Sequence, residues 1–424
     1  MGKYFFYWLV FQAPMLMAQN FVTVRNAEFF LEGRPYSFIG TNFWYGMHLG
    51  AEHTGDRSRL VKELDQLVEL GLRNLRIMAC SEGPDHAPWR VQPPLQPEPE
   101  VYDEDLLGGL DFLLVEMSKR KMRAVVCLNN FWPWTGGMAQ YQAWTTNEKI
   151  PYPPPEEDGS WLKYMLYATK FYTNAEAMTL FEKHIHKIVS RVNQITNVPY
   201  KEDPTIMAWQ LANEPRGITR PNKYRSWIRQ SAKYIKSMDA NHLVSVGSEG
   251  NTPSRLSGNR FLKDHLIEDI DYTTVHIWVQ NWMWYDPLKP EDEYEKALIK
   301  VQRYLLDHVS EAKELNKPLV LEEFGMSRDF NNHDPAANTI WRDRYFRQIF
   351  SWVLNYSLKG ELSGCNFWAW GGYGRPTVPE TIWKKGDDLI GDPPHEHQGW
   401  YSVYDMDYST QEIIKEFTGA ISRR

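Results

Sequence analysis

Cysteine is scarce in this 424-residue chain: Cys80, Cys127 and Cys365 are the only three, and no two form a CxxC pair. An odd count without ligand spacing excludes a disulfide scaffold and a zinc ribbon. Each thiol ends an apolar, strand-like run, so buried free cysteines are expected, with a Cys80–Cys127 bridge between neighbouring strands as the alternative. Clustered basic charge is missing as well. The net charge is −7, from 47 Lys+Arg against 54 Asp+Glu, and no basic block stands out, which argues against a nucleic-acid partner. Internal repeats and domain linkers are also lacking. The apolar run Tyr4–Phe11 is too short to span a bilayer. With Lys3 before it and Ala13–Ala18 then Gln19-Asn20 after it, residues 1–18 resemble a secretory signal peptide cleaved after Ala18. Gln12 and Pro14 interrupt that pattern, and an apolar arm packed on the fold is the competing reading. The expectation is a secreted or periplasmic protein whose residues 19–424 form one domain.

Tryptophan, by contrast, is abundant, with 18 residues in a chain that is 14% aromatic. Many lie in Gly-, Pro- and Asn-rich stretches instead of periodic core segments: Trp44, Trp89, Trp132, Trp134, Trp144, Trp282, Trp284, Trp383 and Trp400. A flat ring with a polar edge suits the apolar face of a sugar. Any single one of these could equally be core; as a group they favour carbohydrate.

Short apolar runs alternate with amphipathic stripes along most of the chain. A small antiparallel ribbon, Phe21–Val24 with Glu28–Leu31, comes first and is expected to plug the bottom of a barrel. Strands are expected at 36–42, 74–80, 123–129, 205–212, 243–247, 272–278, 319–323 and 364–370. Helices are expected at about 57–70, 105–120, 174–193, 221–238, 292–314, 336–354 and 410–418, with little helix after the fifth strand. Pro- and aromatic-rich excursions at 83–99, 130–161 and 371–399 read as long loops. Eight strands alternating with helices fit an α/β fold, a single (β/α)₈ TIM barrel with an N-terminal β-hairpin and long βα loops on one face.

Two of these strands end in acids. Thr205–Pro215 (TIMAWQLANEP) is apolar and β-branched until Asn213-Glu214-Pro215, and Pro318–Gly325 (PLVLEEFG) ends in Glu322-Glu323. Barrel enzymes keep their chemistry at the C-terminal lip of the strands. Two carboxylates flanking a bond are the equipment of glycoside hydrolysis. Side chains alternate across a strand, so one of Glu322 and Glu323 should face the mouth, and periodicity does not say which.

The motifs Gly40-Thr41-Asn42-Phe43-Trp44-Tyr45-Gly46, Asn213-Glu214-Pro215-Arg216, Val275-His276-Ile277-Trp278, Leu321-Glu322-Glu323-Phe324-Gly325 and Asn366-Phe367-Trp368-Ala369-Trp370-Gly371-Gly372 span nearly the whole chain. Together they resemble glycoside hydrolase family 5, and most closely its endo-β-1,4-mannanases. The resemblance implies a retaining hydrolase of mannan, glucomannan or galactomannan, with manno-oligosaccharide or β-mannan as its partner and no cofactor or metal. An exo-acting β-mannosidase or mannobiohydrolase, or a cellulase of the same fold, is the nearest alternative; a non-catalytic carbohydrate-binding barrel is the more distant one.

By the same resemblance Glu323, next to the aromatic-Gly, is the nucleophile and Glu214 the acid/base. Arg76 holds the nucleophile ionised, Asn213 contacts the sugar 2-hydroxyl, and His276 lies near the nucleophile. Trp278 stands where many family members carry a Tyr whose hydroxyl touches the nucleophile, which leaves that contact in doubt. Trp368 forms the floor under the cleaved sugar, Arg216 and Glu249 contact leaving-side hydroxyls, and Trp132 lines the non-reducing side. Trp44, at the lip of the first strand, completes the binding set. For Arg76 a buried structural ion pair, and for His276 a core histidine, remain open. His395-Glu396-His397 on the last loop has too few fixed donors for a metal site.

Overall fold

The computed structural model describes residues 21–254 and 256–423; the leader expected at 1–18 lies outside them. Three short strands come first, β1 (Thr23–Arg25), β2 (Glu28–Leu31) and β3 (Arg34–Pro35), paired in order as an antiparallel ribbon. Eight parallel strands follow: β4 (Phe38–Asn42), β5 (Asn74–Met78), β6 (Arg123–Cys127), β7 (Ile206–Gln210), β8 (Leu243–Ser245), β9 (Thr273–Ile277), β10 (Leu319–Phe324) and β11 (Gly364–Phe367). Their order in the sheet is β8-β7-β6-β5-β4-β11-β10-β9. The two end strands meet through side-chain and loop contacts: the Asp271 N–H donates to Val244 O at 2.8 Å, and Thr274 Oγ1 donates to Ser248 O at 2.9 Å. The sheet is thereby a nearly closed (β/α)₈ barrel.

The strands are buried on both faces because one face fills the barrel and the other meets the helices. At the N-terminal end, Val22 and Phe29 of the ribbon pack with Phe38, Val125, Met207, Leu243, Tyr272 and Val320 in a separate apolar cluster. The ribbon is therefore the plug its sequence suggests. The outer helices start at side-chain caps: Asp56 accepts from the Arg59 N–H, Asp103 from Leu106, and Asn174 from Ala177. Each such cap satisfies an amide that the helix cannot pair internally. Pro221 and Pro290 open two further helices, Pro221–Met238 and Pro290–Leu315, where a missing N–H costs nothing.

Two features depart from expectation. The stretch 130–161 and its continuation are not wholly irregular: helices run over Gly137–Thr146 and Trp161–Ala168. The last strand stops at Phe367, and Trp370–Gly372 (β12) forms a separate pair with Val403–Tyr404 (β13), which anchors the base of the loop between them. Between β8 and β9, among the described residues, only Phe261–His265 is helical. Cys80, Cys127 and Cys365 are buried free thiols. Among the described residues no helix is long and apolar enough to cross a membrane.

Candidate active site

Glu214 leaves the end of β7 with φ at +49°, a conformation that a residue with a side chain rarely adopts. Its N–H donates to Gly247 O at 2.9 Å, while the Asn213 N–H donates to Asn129 O at 2.8 Å. Gly247 itself sits at φ +80°, where a Cβ would come within 2.0 Å of Ala212 O. Only glycine fits there, and the close approach fixes the sharp turn that swings Glu214 over the barrel axis.

Opposite it, Glu323 stands at the end of β10. The two acids come from strands three places apart round the barrel, counted across the β8–β9 seam, and a carboxylate oxygen of each lies within 4.8 Å of the other and of a His276 ring nitrogen. Both side chains are almost entirely buried.

Donors surround both acids. The Glu214 carboxylate accepts from Trp132 Nε1 at 2.5 Å, His276 Nδ1 at 2.6 Å and Trp278 Nε1 at 3.2 Å. Glu323 Oε1 is paired with the Arg76 guanidinium, and its Oε2 lies 3.3 Å from His276 Nδ1. Arg76 is held in turn by Asn42 Oδ1 (3.0 Å), Gln210 Oε1 (2.7 Å) and Asn213 Oδ1 (2.8 Å). Burial opposes protonation of His276, but the charge of Glu323 and the bonds to Glu214, Glu322 and Glu323 outweigh it and hold the imidazole well above its usual range. Charged, it can serve both carboxylates as a donor.

Glu322 breaks the expected alternation. The pairing of β10 with β9 slips by one residue between Leu321 and Glu323, so both glutamates reach the barrel interior. Glu322 lies deeper, accepting from Gln210 Nε2 at 2.7 Å, with Arg76 Nε 3.8 Å away. It belongs to the support of Arg76 and does not line the cleft.

A cavity of about 570 Å³ opens above the acids, lined by Trp132, Trp161, Arg216, Glu249, Trp278 and Trp368, together with other loop residues. Arg216 and Glu249 form a two-pronged ion pair at 2.6 and 2.8 Å. Burial and the neighbouring charge of Glu214 raise the Glu249 carboxyl while Arg216 pulls it back, leaving it above its usual range. Asn213 has both ends of its amide engaged, with Nδ2 donating to Asn130 Oδ1 at 3.1 Å.

Trp278, whose contact with the nucleophile the sequence leaves in doubt, donates its N–H to Glu214. Trp132, expected to line the non-reducing side, lies under the Arg216 guanidinium at 4.8 Å and donates to Glu214. One expectation needs correction. Trp44 does not line the cavity: it is 2% exposed, packs edge-on against Trp134, and its N–H donates to Gly391 O at 3.0 Å. It is a core residue that moors the last loop.

Other lining residues carried little sequence signal. Trp161 opens the helix Trp161–Ala168 in the segment after β6, and His395 and Glu396 lie on the loop after β12. The His-Glu-His run was conspicuous only as a weak metal motif. Among the described residues it forms no group of three ligands.

Residues 19–424 match a family model described as GH family 5 beta-mannosidase-like. The chain is 40% identical to a glycoside hydrolase family 5 mannosidase from Rhizomucor miehei, with a TM-score of 0.89, covering 96% of this chain and 98% of that one. It is 34% identical over 360 residues to mannan endo-1,4-beta-mannosidase 5 of Solanum lycopersicum, covering 82% of this chain and 80% of that protein. The endo-beta-1,4-mannanase of Thermotoga petrophila superposes with a TM-score of 0.67 at 25% identity, over 92% of this chain and 77% of its own.

Proposed function

The chain belongs to glycoside hydrolase family 5, and on that premise we propose that it is a retaining endo-β-1,4-mannanase acting on mannan and glucomannan, with Glu323 as nucleophile and Glu214 as acid/base. The observation that carries the reading is the carboxylate pair: two strand-end glutamates within 4.8 Å at one rim. Retaining hydrolysis calls for acids about 5–5.5 Å apart, too close for a water to fit between them.

In the first step Glu323 attacks the anomeric carbon as Glu214 gives its proton to the departing glycosidic oxygen. The Glu323–anomeric carbon bond forms as the carbon–oxygen bond breaks. In the second step Glu214, now a carboxylate, takes a proton from water, which displaces Glu323 from the anomeric carbon. Arg76 aims Glu323 through a charge-assisted pair. His276 offers its proton to whichever acid carries charge. Trp368 provides an apolar platform for the sugar being cleaved, and Arg216 with Glu249 offers charged hydrogen-bonding edges beside the proton donor. Residues 1–18 fit an export signal, which N-terminal sequencing of the secreted product would test.

The deciding experiment measures Glu323→Ala on β-mannan. Loss of turnover in a folded variant supports the reading; retained weak turnover would leave carbohydrate binding as the function. A second reading, removal of short units from chain ends, is favoured by one contact. The Trp161 ring lies 6.0 Å from His395 across the mouth, joining loops from strands three places apart. Products from mannohexaose separate the two: a spread of internal fragments for the first, only mono- or disaccharide for the second.

A further inference from the structure

Glu322 is a buried carboxylate that neither step of the proposed reaction uses. It is 1% exposed, and the slip between Leu321 and Glu323 turns it into the barrel beside the nucleophile. Its Oε2 accepts from Gln210 Nε2 at 2.7 Å, and its Oε1 accepts from the Tyr272 hydroxyl at 3.4 Å. The same Oε2 lies 3.8 Å from Arg76 Nε and 3.9 Å from His276 Nε2. One carboxylate oxygen thus stands close to both cations of the floor. His276 Nε2 is buried with no partner at hydrogen-bond distance, and Glu322 faces it as a charge.

The reaction moves negative charge across this floor. Before the first step Glu323 is a carboxylate and Glu214 carries the proton. After it, Glu323 is a neutral ester and Glu214 is the carboxylate. His276 Nδ1 lies between the two places, 2.6 Å from Glu214 Oε1 and 3.3 Å from Glu323 Oε2. Each of these acids is charged in one half of the cycle only, whereas Glu322 reacts in neither half. With its carboxylate counted, Arg76 and His276 face two negative charges in both states. We propose that Glu322 is a positioning residue acting through His276: a fixed counter-charge that keeps a proton on the imidazole while the charge it serves passes from Glu323 to Glu214. This rests on the acid assignment made above.

The surroundings single out Glu322 for this task. Burial opposes a charge on His276, and the charge of Glu323 is the largest influence against it. That influence vanishes on esterification, which leaves Glu214 and Glu322. The other titratable groups facing the pair are Arg76 on β5, Cys127 on β6, Glu249 beyond β8 and Tyr272 just before β9. Burial pushes the Tyr272 hydroxyl well above its usual range and the Cys127 thiol up to about 12, so both stay neutral. Glu249 is committed to Arg216 by its two-pronged pair. Arg76 is itself a cation, and two buried like charges disfavour one another unless a carboxylate stands near both.

The test reads the protonation of His276 directly, by NMR of isotope-labelled histidine ring nitrogens, its signal identified by its absence from His276→Gln. In the parent protein the ring should still be protonated at about pH 7; a neutral ring there overturns the proposal without any variant. In Glu322→Gln its deprotonation midpoint should fall by at least about one pH unit, and an unmoved midpoint would overturn the proposal equally. Glu322→Asp, which keeps the charge, should lie nearer the parent. On mannohexaose, Glu322→Gln should lower kcat roughly 10–100-fold with KM changed less than about threefold. The loss should be similar on 4-nitrophenyl β-mannoside, because both substrates pass through the second step. Added to His276→Gln, Glu322→Gln should cost less than about threefold more, since its route is already cut; a full further loss would show that Glu322 serves Arg76 alone. Thermal melting confirms that each variant folds, and if Glu322→Gln does not, the parent spectrum still decides. Turnover persisting in Glu323→Ala is a different result, which would defeat the acid assignment itself.

Discussion

On the floor of the cleft, Glu214 accepts from three side-chain donors, and Arg76 divides its guanidinium among Glu323, Asn42, Gln210 and Asn213. On the wall facing them, His395 and Glu396 keep buried polar atoms unpartnered. On the floor the acids and Arg76 are already held by side-chain donors and acceptors, although His276 Nε2 and Trp368 Nε1 have no partner. The wall is drawn from a loop, and its buried polar atoms lack protein partners. Groups that must hold charge in a fixed place are preorganised at the protein's expense.

That contrast can be broken at several points. Removing the proposed nucleophile should have the largest effect: Glu323→Ala is expected to lower kcat roughly 10⁴-fold or more, read on mannan with folding checked by circular dichroism. Glu214→Ala should cost roughly 10²–10⁴-fold on mannan and far less on aryl mannosides whose leaving groups need no proton; equal losses on both would remove the acid role. Arg76→Met leaves Glu323 buried without its cation, so unfolding free energy should drop by about 3–5 kcal/mol in denaturant titration, with activity falling too. A Met variant as stable as the parent would show that the floor does not depend on this pair.

His276 sharpens the comparison through pH. Its folded pKa is raised well above the ordinary 6.5, so the stability it contributes is fully present below about 6.5 and is lost as pH climbs through the folded value. The melting temperature of the parent should therefore exceed that of His276→Gln most at acid to neutral pH, with the gap closing under alkaline conditions. A gap that widened with pH would contradict a charged imidazole. The smallest effect is expected for Trp44→Phe, which loses one hydrogen bond to Gly391 O and should cost about 1 kcal/mol of stability.

Much of the floor was legible before any coordinates. The apolar runs at 205–212 and 319–323 end in the acids Glu214 and Glu323, whereas Arg76 and His276 lie inside β5 and β9, where a buried charge is tolerated because it is paired with those acids. What periodicity missed has local causes. The slip in β10 turns Glu322 inward, and no composition signal marks it. The helix Gly137–Thr146 is buried around most of its first turns, so it lacks the one-sided stripe that betrays a surface helix. Trp44 looked like a binding ring because it sits in an Asn- and Gly-rich strand end, yet its partner, Trp134, comes from a distant loop. The wall was the least legible: His395 and Glu396 gain their meaning from Trp161, on the far side of the mouth.

The ribbon of Thr23–Pro35 has a bearing on turnover. Phe29, with Val22 just before the ribbon, stoppers the barrel beneath Tyr272 and Met207, while among the described residues the cavity over the acids opens at the opposite end. In the proposed reaction, reactant, departing sugar and second-step water would then meet at that mouth. The residence time of the severed fragment there would bear on whether the bound glycosyl group ends on water or on another sugar.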